Sequence, residues 1–189
     1  MNQGVILPPT QPTQPTRSEP VLSQIGPVTI RFARRADCGI LLQFIQALAE
    51  YEKLAHQVVA TEAQLEETLF GQHPGAEVLI AESAGEAAGF ALFFGNYSTF
   101  LGRPGIYLED LFVYPRFRGH GVGKGLLSHI AAIAVERGCG RLDWSVLDWN
   151  QSAIDFYHGL GARGMTDWTQ YRLDGDHLAR LASAHHPIR

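Results

Sequence analysis

One stretch of this chain decides the fold, Arg118-Gly119-His120-Gly121-Val122-Gly123. It comes shortly after the apolar run at 111–113, so a strand is predicted to end just before a glycine-rich loop that opens a helix. Glycines in such a loop carry no Cβ atom, so backbone N–H groups can approach a ligand closely. The positive end of the helix dipole faces the same place. The stretch therefore predicts an anion cradle, and a diphosphate is the ligand that suits it best.

The spacing of this loop excludes two common phosphate motifs. Counting back from Lys124 for a P-loop reaches Arg118 where a glycine is required, and Gly125 stands where Ser or Thr is required. A dinucleotide-binding fingerprint follows the first strand of its domain, whereas this loop lies past mid-chain and has Lys124 in place of the third glycine. The pattern that fits is Arg-x-x-Gly-x-Gly. It resembles the acetyl-CoA pyrophosphate loop of the GCN5-related N-acetyltransferases (GNAT), and a glycine-rich turn without a ligand is the alternative.

Composition indicates a globular protein with one sizeable core. The chain has 189 residues, of which 46% are hydrophobic and 18% charged. No apolar run reaches the length of a membrane span, so no membrane association is expected. The net charge of −4 argues against nucleic acid as a partner and suits a cationic substrate. Cys38 and Cys139 lie in predicted regular elements, which favours free thiols in a reducing cytoplasm over a disulfide.

Residues 1–27 differ in composition from the rest. This segment has six prolines among Gln, Thr and Ser, and its only charges are Arg17 and Glu19. It lacks the basic start and continuous apolar core of a signal peptide. We therefore expect a disordered extension over 1–27 and a folded domain over 28–189.

The folded part reads as one mixed α/β domain. Period-2 patterns predict strands at 28–33, 77–82, 88–94, 106–113 and 141–147, with a last hairpin at 165–173. Helices are predicted after the cap at 36–37, from Thr61, over 121–137, from Asn150 to Leu160, and in a short terminal segment after 174–176. A turn at 84–86 joins the second and third strands. The predicted order is β-α-α-β-β-β-α-β-α-β, without internal repeats.

Four segments narrow the resemblance within the GNAT superfamily. They are Ala49-Glu50-Tyr51-Glu52-Lys53, Tyr107-Leu108-Glu109-Asp110-Leu111-Phe112-Val113, Phe117 to Gly123, and Asp148-Trp149-Asn150 through Ile154-Asp155-Phe156-Tyr157. Together they resemble the spermidine/spermine N1-acetyltransferase group, which includes the thialysine acetyltransferases. The likeness covers about 28–183. It implies a mixed central sheet with helices on both faces, strands four and five splayed to hold acetyl-CoA, and a homodimer.

The resemblance also implies where acetyl-CoA binds. Loop amides from Gly119 to Lys124 would hold the pyrophosphate, with charge added by Arg118 and Lys124, although either cation alone is nearly as well explained as a solvated surface group. The pantetheine arm would lie between strands four and five, where a backbone N–H near 111–113 is the natural oxyanion donor. The implied cofactor-binding residues are Leu111, Phe112, Val113, Arg118, Gly119, His120, Gly121, Val122, Gly123, Lys124, Trp144, Ser145, Asn150, Ser152 and Ala153.

Carboxylates are needed because the substrate amine is a cation. An alkyl ammonium has a pKa near ~10, so roughly one molecule in a thousand is neutral at pH 7. Glu109 ends the central strand and is the candidate base, acting through water, while a structural pair with an arginine is the alternative. Strand alternation is expected to point Asp110 the other way. By resemblance, Glu52 and the neighbouring Tyr51 form the amine-binding end of the first helix, where a merely solvated Glu52 is equally possible.

Tyr157 is the candidate acid that protonates the leaving thiolate. The family places its proton donor in this Phe-Tyr pair, on the helix that begins after Asn150. A phenol with a pKa of ~10 is a weaker acid than a thiol of ~8.5, so full transfer is uphill by ~2 kcal/mol in water. Proton transfer as the C–S bond breaks removes that difficulty. A core aromatic with a satisfied hydroxyl is the alternative.

The sequence thus predicts a cytoplasmic, acetyl-CoA-dependent N-acetyltransferase acting on a primary amine of a small polyamine or diamine. Thialysine or another lysine-like amino acid comes second, and a protein lysine third. A non-catalytic acyl-CoA-binding regulator on the same fold is the alternative from another class. The eight histidines show no metal-ligand spacing, so no metal is expected. Phe100 and Asp148 depart from the residues familiar in the subfamily, which affects the amine half of the prediction.

Overall fold

In this computed structural model the described residues divide into two units, with the boundary after Ser145. The structure describes residues 23–25 and 28–184. The boundary between the units falls inside the region 28–189, so the assignment of that region to one domain stays a prediction.

A six-stranded mixed sheet organises the first unit. Its strands are β1 (Ser23–Ile25), β2 (Val28–Phe32), β3 (Glu77–Ser83), β4 (Glu86–Ser98), β5 (Arg103–Val113) and β6 (Leu142–Trp144), and they lie in that order across the sheet. Neighbouring strands are antiparallel except β5 and β6, which are parallel. A parallel pair needs a crossover connection, and the helix after the glycine loop provides it. The mixed sheet predicted from the sequence is confirmed.

The strand β1 corrects part of the expected disordered extension. Residues 23–25 pair with 28–30 of β2, although composition assigned all of 1–27 to a disordered segment. Low apolar content argues against a core, but a three-residue edge strand needs only backbone hydrogen bonds to its neighbour. The rest of the expected extension, residues 1–22 and 26–27, lies outside the described residues.

Three helices cover the sheet in the first unit: α1 (Cys38–Tyr51), α2 (Glu62–Phe70) and α3 (Val122–Glu136). The predicted capping box of α2 forms, with Thr61 and Gln64 bonding each other's backbone N–H. One core cluster joins α1 and α2 to the sheet, and its buried members are Cys38, Leu41, Phe44, Leu65, Leu69, Val78, Ile80, Phe90 and Phe112. The strand residues of opposite parity, among them Leu79, Ala91 and Phe93, are also buried. They lie on the other face, where α3 contacts β2 to β5, so helices cover both faces as expected.

The hairpin between β3 and β4 turns at Ala84 and Gly85, within the predicted turn. Their φ angles are 52° and 82°. Two successive residues with positive φ are the mark of a type I′ turn, whose twist matches that of the flanking strands. Glycine adopts this conformation without strain, whereas Ala84 does so at a cost.

A β-bulge interrupts β5 at Glu109. Leu108 pairs with Phe93 of β4, but the next pair along is Asp110 with Leu92, so Glu109 has no partner of its own. On its other side, β5 pairs with β6 only from Ile106 to Leu108, because β6 ends at Trp144. The fourth and fifth strands of the sequence prediction, which are β5 and β6, therefore separate beyond Leu108. β6 is shorter than the predicted strand at 141–147.

The second unit has two helices, α4 (Gln151–Gly159) and α5 (Gly175–Ser183). Asn150 caps α4 as predicted, because its side-chain oxygen accepts a hydrogen bond from the Ala153 N–H at 3.3 Å. The predicted hairpin at 165–173 is wrong: this segment is irregular, and Trp168 and Tyr171 are 71% and 91% exposed. Alternating residues form a strand only beside another strand, and none is present among the described residues of this unit.

Candidate active site

The glycine loop leaves the N-terminus of α3 open. Gly119 and Gly121 have φ angles of 77° and 82°, and Gly121 is the residue before the helix. No side chain caps the first turn, so the first N–H groups of α3 are available to a ligand. A Cβ atom built on either glycine meets nothing within 4 Å. Open space in front of uncapped N–H donors at a positive dipole end fits a diphosphate.

Side chains of the loop divide into packing and exposed groups. Val122 is buried against the sheet, so it offers only its backbone N–H. His120 and Lys124 are exposed, which is compatible with Lys124 adding charge beside a phosphate. Arg118 instead folds back from the loop: its Nε donates to the Val113 carbonyl oxygen at 2.9 Å.

The Arg118 guanidinium also stacks on two aromatic rings. Its Cζ lies 4.7 Å from the centroid of the Tyr51 ring and 5.9 Å from that of Phe112. Such cation–π contacts at exposed sites stabilise by about 0.5–1 kcal/mol. The sequence assigned Arg118 to the pyrophosphate, and nothing in the pattern indicated its contact with the end of α1.

The free edge of β5 presents particular backbone groups to the space left by β6. The Ile106 N–H donates to Arg141 of the β6 side at 3.1 Å, while the Tyr114 N–H donates to Ala88 of the β4 side at 3.0 Å. These directions differ because the bulge inserts one residue between them. Counting back from Tyr114, the polar groups of Leu111 and Val113 face the unpaired edge. The Val113 carbonyl already accepts from Arg118 Nε, so the Leu111 groups and the Val113 N–H are the ones that an amide-containing ligand can pair with.

Phe112 does not share that edge. It pairs with Phe90 of β4, and its ring is buried in the core cluster. Its place in the predicted cofactor-binding set is therefore that of a packing residue beside the backbone donors. On the opposite side of the opening, the Ser145 hydroxyl lies 2.7 Å from that of Tyr107, and Trp144 is half-buried at the end of β6.

Three carboxylates come together where β5 bends. Asp110 pairs with Leu92, whose side chain packs against the α1–α2 core cluster, so the bulge places Asp110 on the α1 face of the sheet. Burial raises the pKa of Asp110, and the nearby negative charges of Glu109 and Glu52 add to the effect, so that the pKa is about 6. Burial also raises the pKa of Glu52. Glu109 is exposed.

The expectation that Asp110 points away from the site is therefore corrected. It assumed strict strand alternation, which the bulge breaks at Glu109. The sequence contained only a weak signal for this residue, namely two adjacent acids at the end of an apolar strand. A bulge is set by the pairing of two strands and is not visible in either strand alone.

The carboxyl end of α1 carries Tyr51 and Glu52. The Lys53 N–H donates to the Glu50 carbonyl at 3.1 Å and the Leu54 N–H to Ala49 at 2.7 Å. Together with the φ of 63° at Lys53, these bonds form a Schellman motif. The helix end that the resemblance assigns to the amine is thus held in one backbone conformation.

The second unit holds the remaining predicted site residues. Tyr157 is half-buried on α4, with the Phe156 ring centroid 5.2 Å from its own. The Asn150 side chain caps the helix by accepting a hydrogen bond from the Ala153 N–H, and Ser152 is exposed. The proton-donor role of Tyr157 and the cofactor contacts of these residues stay predictions.

Cys38 and Cys139 are free thiols, Cys38 fully buried, as the sequence predicted. None of the helices within 28–184 combines the length and apolar character needed to cross a bilayer. Over the same residues, no three His, Cys, Asp or Glu side chains are grouped to hold a metal ion.

Comparison with known proteins agrees with this geometry. Residues 43–162 match the sequence profile of the Acetyltransferase (GNAT) family. The chain is 41% identical over 166 residues to the thialysine N-epsilon-acetyltransferase of Sus scrofa, covering 82% of this chain and 97% of the relative. It is 32% identical over 197 residues to an L-ornithine N5-acetyltransferase of Arabidopsis thaliana, covering 80% and 86%. An integron cassette protein structure from the V. cholerae mobile metagenome superposes with a TM-score of 0.71 at 29% identity, covering 84% and 99%.

The fold, the open helix N-terminus and these matches define the class: the chain belongs to the GNAT family of acetyltransferases. Within that family it is similar to enzymes named for acetylating small amines. It is therefore an acetyl-CoA-dependent N-acetyltransferase, and the resemblance inferred from its motifs is confirmed.

Proposed function

We propose that this enzyme acetylates the terminal primary amine of a small molecule that carries a second ammonium group. One observation carries the proposal: the negative charges of Glu52 and Glu109 both act on the half-buried Asp110 at the end of β5. Like charges disfavour one another, and an acceptor with two ammonium groups relieves that repulsion on binding. A neutral or anionic acceptor gains nothing from this arrangement.

Acid–base chemistry divides among the carboxylates by exposure. Glu109 is exposed, so it can accept a proton from the ammonium through a water molecule. Asp110 is largely buried and has a pKa near 6, so a bound cation favours its ionised form. Glu52, directly after α1, holds the ammonium that is not acetylated.

Backbone donors serve the acyl group. Acetyl-CoA supplies the activated thioester. The α3 N-terminus binds its diphosphate, and the β5 groups of Leu111 and Val113 hold the pantetheine amides and the developing oxyanion. Tyr157 supplies the proton to the leaving thiolate.

Among acceptors that carry two ammonium groups, diamino acids, which also carry a carboxylate, lead over polyamines. Relatives that match nearly their whole length are named for thialysine and ornithine, and both compounds are amino acids with a terminal primary amine. The order expected from the sequence, polyamine first, is therefore reversed in this proposal. The homodimer implied by the resemblance and the cytoplasmic location inferred from the two cysteines are retained as proposals.

Release of free CoA thiol across an amine panel tests the substrate class. The panel contains thialysine, lysine, ornithine, putrescine, spermidine, a monoamine of matched chain length, and a lysine-containing peptide. We expect kcat/KM to be at least tenfold higher for the diamino acids than for the monoamine. Equal kcat/KM values for the monoamine and the diamino acids would refute the proposal that the enzyme recognises a second ammonium group. Acetyl-CoA binding without turnover of any amine would favour the regulator instead.

A further inference from the structure

The Arg118 side chain connects the start of the glycine loop to the carboxyl end of α1. Its backbone begins the loop, its Nε holds the Val113 carbonyl at 2.9 Å, and its Cζ lies 4.7 Å from the Tyr51 ring centroid. One residue therefore touches the cofactor loop, the end of β5 and the end of α1.

Aromatic packing continues beneath this contact. Phe112 lies against Tyr114 with centroids 5.3 Å apart, and both rings lie against Phe44 of α1, at 6.4 Å and 5.1 Å. Arg118 covers this cluster from outside by stacking on Phe112 and Tyr51. The contact is thus the outer layer of a continuous packed connection between β5 and α1.

A restraint on Tyr51 is also a restraint on Glu52. The two residues are consecutive, and the Schellman bonds of Lys53 and Leu54 fix the backbone directly after them. Because this backbone is fixed, movement of the end of α1 that carried Tyr51 away from Arg118 would move the Glu52 carboxylate with it.

We propose that Arg118 is a positioning residue that couples occupation of the acetyl-CoA loop to amine binding at Tyr51 and Glu52. This inference rests on the proposed function, because it takes those two residues as the amine-binding end of α1. Ligand contacts that restrain the loop restrain the Arg118 backbone, and the guanidinium then holds Tyr51. By linkage, the amine strengthens cosubstrate binding by the same factor.

The residue type supports positioning over simple charge. A guanidinium is planar, so it can stack on two rings while its Nε donates to a carbonyl, whereas a lysine is a point charge on a flexible stem. A role restricted to phosphate neutralisation would be served by either residue. Arg118→Lys therefore separates the two roles.

Calorimetry with unacetylated CoA, which cannot react, measures the coupling directly. In the wild-type enzyme the best amine of the panel should bind about fivefold tighter in the presence of saturating CoA. Arg118→Lys should abolish most of that factor and raise the amine KM, while the Kd of CoA alone changes by less than about twofold. Tyr51→Leu should remove the same coupling factor. The double variant should lose no more of the coupling factor than either single variant does.

Arg116→Lys is the matched control. Arg116 lies in the same connection and also stacks on aromatic rings, 5.1 Å from Tyr114 and 4.7 Å from Phe117, with an ion pair to Glu86 at 3.3 Å. We expect this variant to keep the full coupling factor. Loss of coupling in Arg116→Lys would mean that any change in this connection disturbs the site, and would overturn the specific role of Arg118.

Two further results would overturn the inference. Intact coupling in Arg118→Lys, with CoA binding weakened about tenfold in Arg118→Ala, would make Arg118 a phosphate ligand only. Additive effects of Arg118→Lys and Tyr51→Leu on amine affinity would show that the two side chains act separately. Wild-type turnover with unchanged coupling in Arg118→Lys refutes this inference alone, whereas absence of turnover with every amine refutes the proposed function.

Discussion

At the scale of single residues, the site depends on groups whose neighbours alter their chemistry. Asp110 is an aspartate whose pKa is raised to about 6 by burial and by two other carboxylates. Arg118 is a loop cation whose side chain packs on Tyr51. Neither property belongs to the residue type, and both follow from which side chains lie beside it.

The raised pKa of Asp110 predicts a pH-dependent stability. Its ordinary pKa of 3.8 applies to the unfolded chain and a value of about 6 to the folded protein. The contribution of the protonated Asp110 carboxyl to the free energy of unfolding is therefore fully present below pH 3.8 and is lost as the pH rises through 6. Asp110→Asn removes the titrating group, so from pH 4 to pH 8 the variant should gain roughly 2–3 kcal/mol relative to the wild type.

Urea denaturation of both proteins at several pH values checks this prediction. Comparing the two proteins cancels the titration of every other group that they share. A constant difference between pH 4 and pH 8 would show that Asp110 titrates normally.

Tyr157→Phe tests the proton donor. The change removes a hydroxyl and little volume, so kcat should fall ~10²–10⁴-fold if the phenol protonates the leaving thiolate. The Kd of acetyl-CoA should barely change, because packing on α4 is retained. Turnover near the wild-type rate, with chemistry shown to be rate-limiting, would reduce Tyr157 to a packing residue.

At the scale of elements, the site is made by ends and irregularities. The start of α3, the end of α1, the bulge of β5 and the early end of β6 each leave backbone or carboxylate groups available. Regular helix or strand hydrogen bonding would have occupied those backbone groups. The candidate site therefore consists of positions at which a helix or strand ends or is interrupted.

Gly123→Ala separates binding by the α3 N-terminus from stability. Gly123 lies in the first turn of α3, where a Cβ atom tilts toward the N-terminal end and thus toward the proposed diphosphate site. We expect the KM for acetyl-CoA to rise about tenfold, while the helix gains about 0.5–1 kcal/mol from alanine. The amine KM at saturating acetyl-CoA serves as the internal control. An unchanged acetyl-CoA KM in this folded variant would remove the pyrophosphate assignment.

Ala84→Asn should stabilise the first hairpin. Both turn residues have positive φ, and Asn-Gly is the pair that type I′ turns favour. We expect a gain of about 0.5–1 kcal/mol in the free energy of unfolding, measured in urea, without change in kcat. Ala84→Val is the matched control and should be destabilising, because a β-branched side chain is strained at positive φ. Equal stability of the two variants would contradict the turn assignment.

At the scale of the whole molecule, the predicted homodimer and the role of the N-terminal segment can be tested together. Deletion of 1–22 retains β1 and removes only a Pro-, Thr- and Gln-rich segment that has little apolar surface to bury. Activity and sedimentation coefficient should be unchanged after allowance for the lost mass. A fully active monomer in sedimentation velocity would reject the dimer, and loss of activity would assign the segment a role.

Local patterns were sufficient for much of this protein. The Arg118 to Gly123 spacing, the Thr61 capping box, the Asn150 cap and the apolar face of α1 each depend on contacts within a few residues of chain. Such contacts can be read from the sequence because neighbours in the chain are neighbours in space. The same reasoning identified the family and predicted that the glycine loop binds a diphosphate.

Only the tertiary structure decided the features that depend on pairing between distant segments. The bulge at Glu109 exists because β5 pairs with β4 in a shifted register, and it moves Asp110 to the α1 face. The Arg118 contact with Tyr51 joins residues 67 positions apart in the chain. The alternation at 165–173 could not form a hairpin strand without a neighbouring edge. Sequence periodicity determines which elements can form, whereas strand register and side-chain contact between elements depend on how those elements pack.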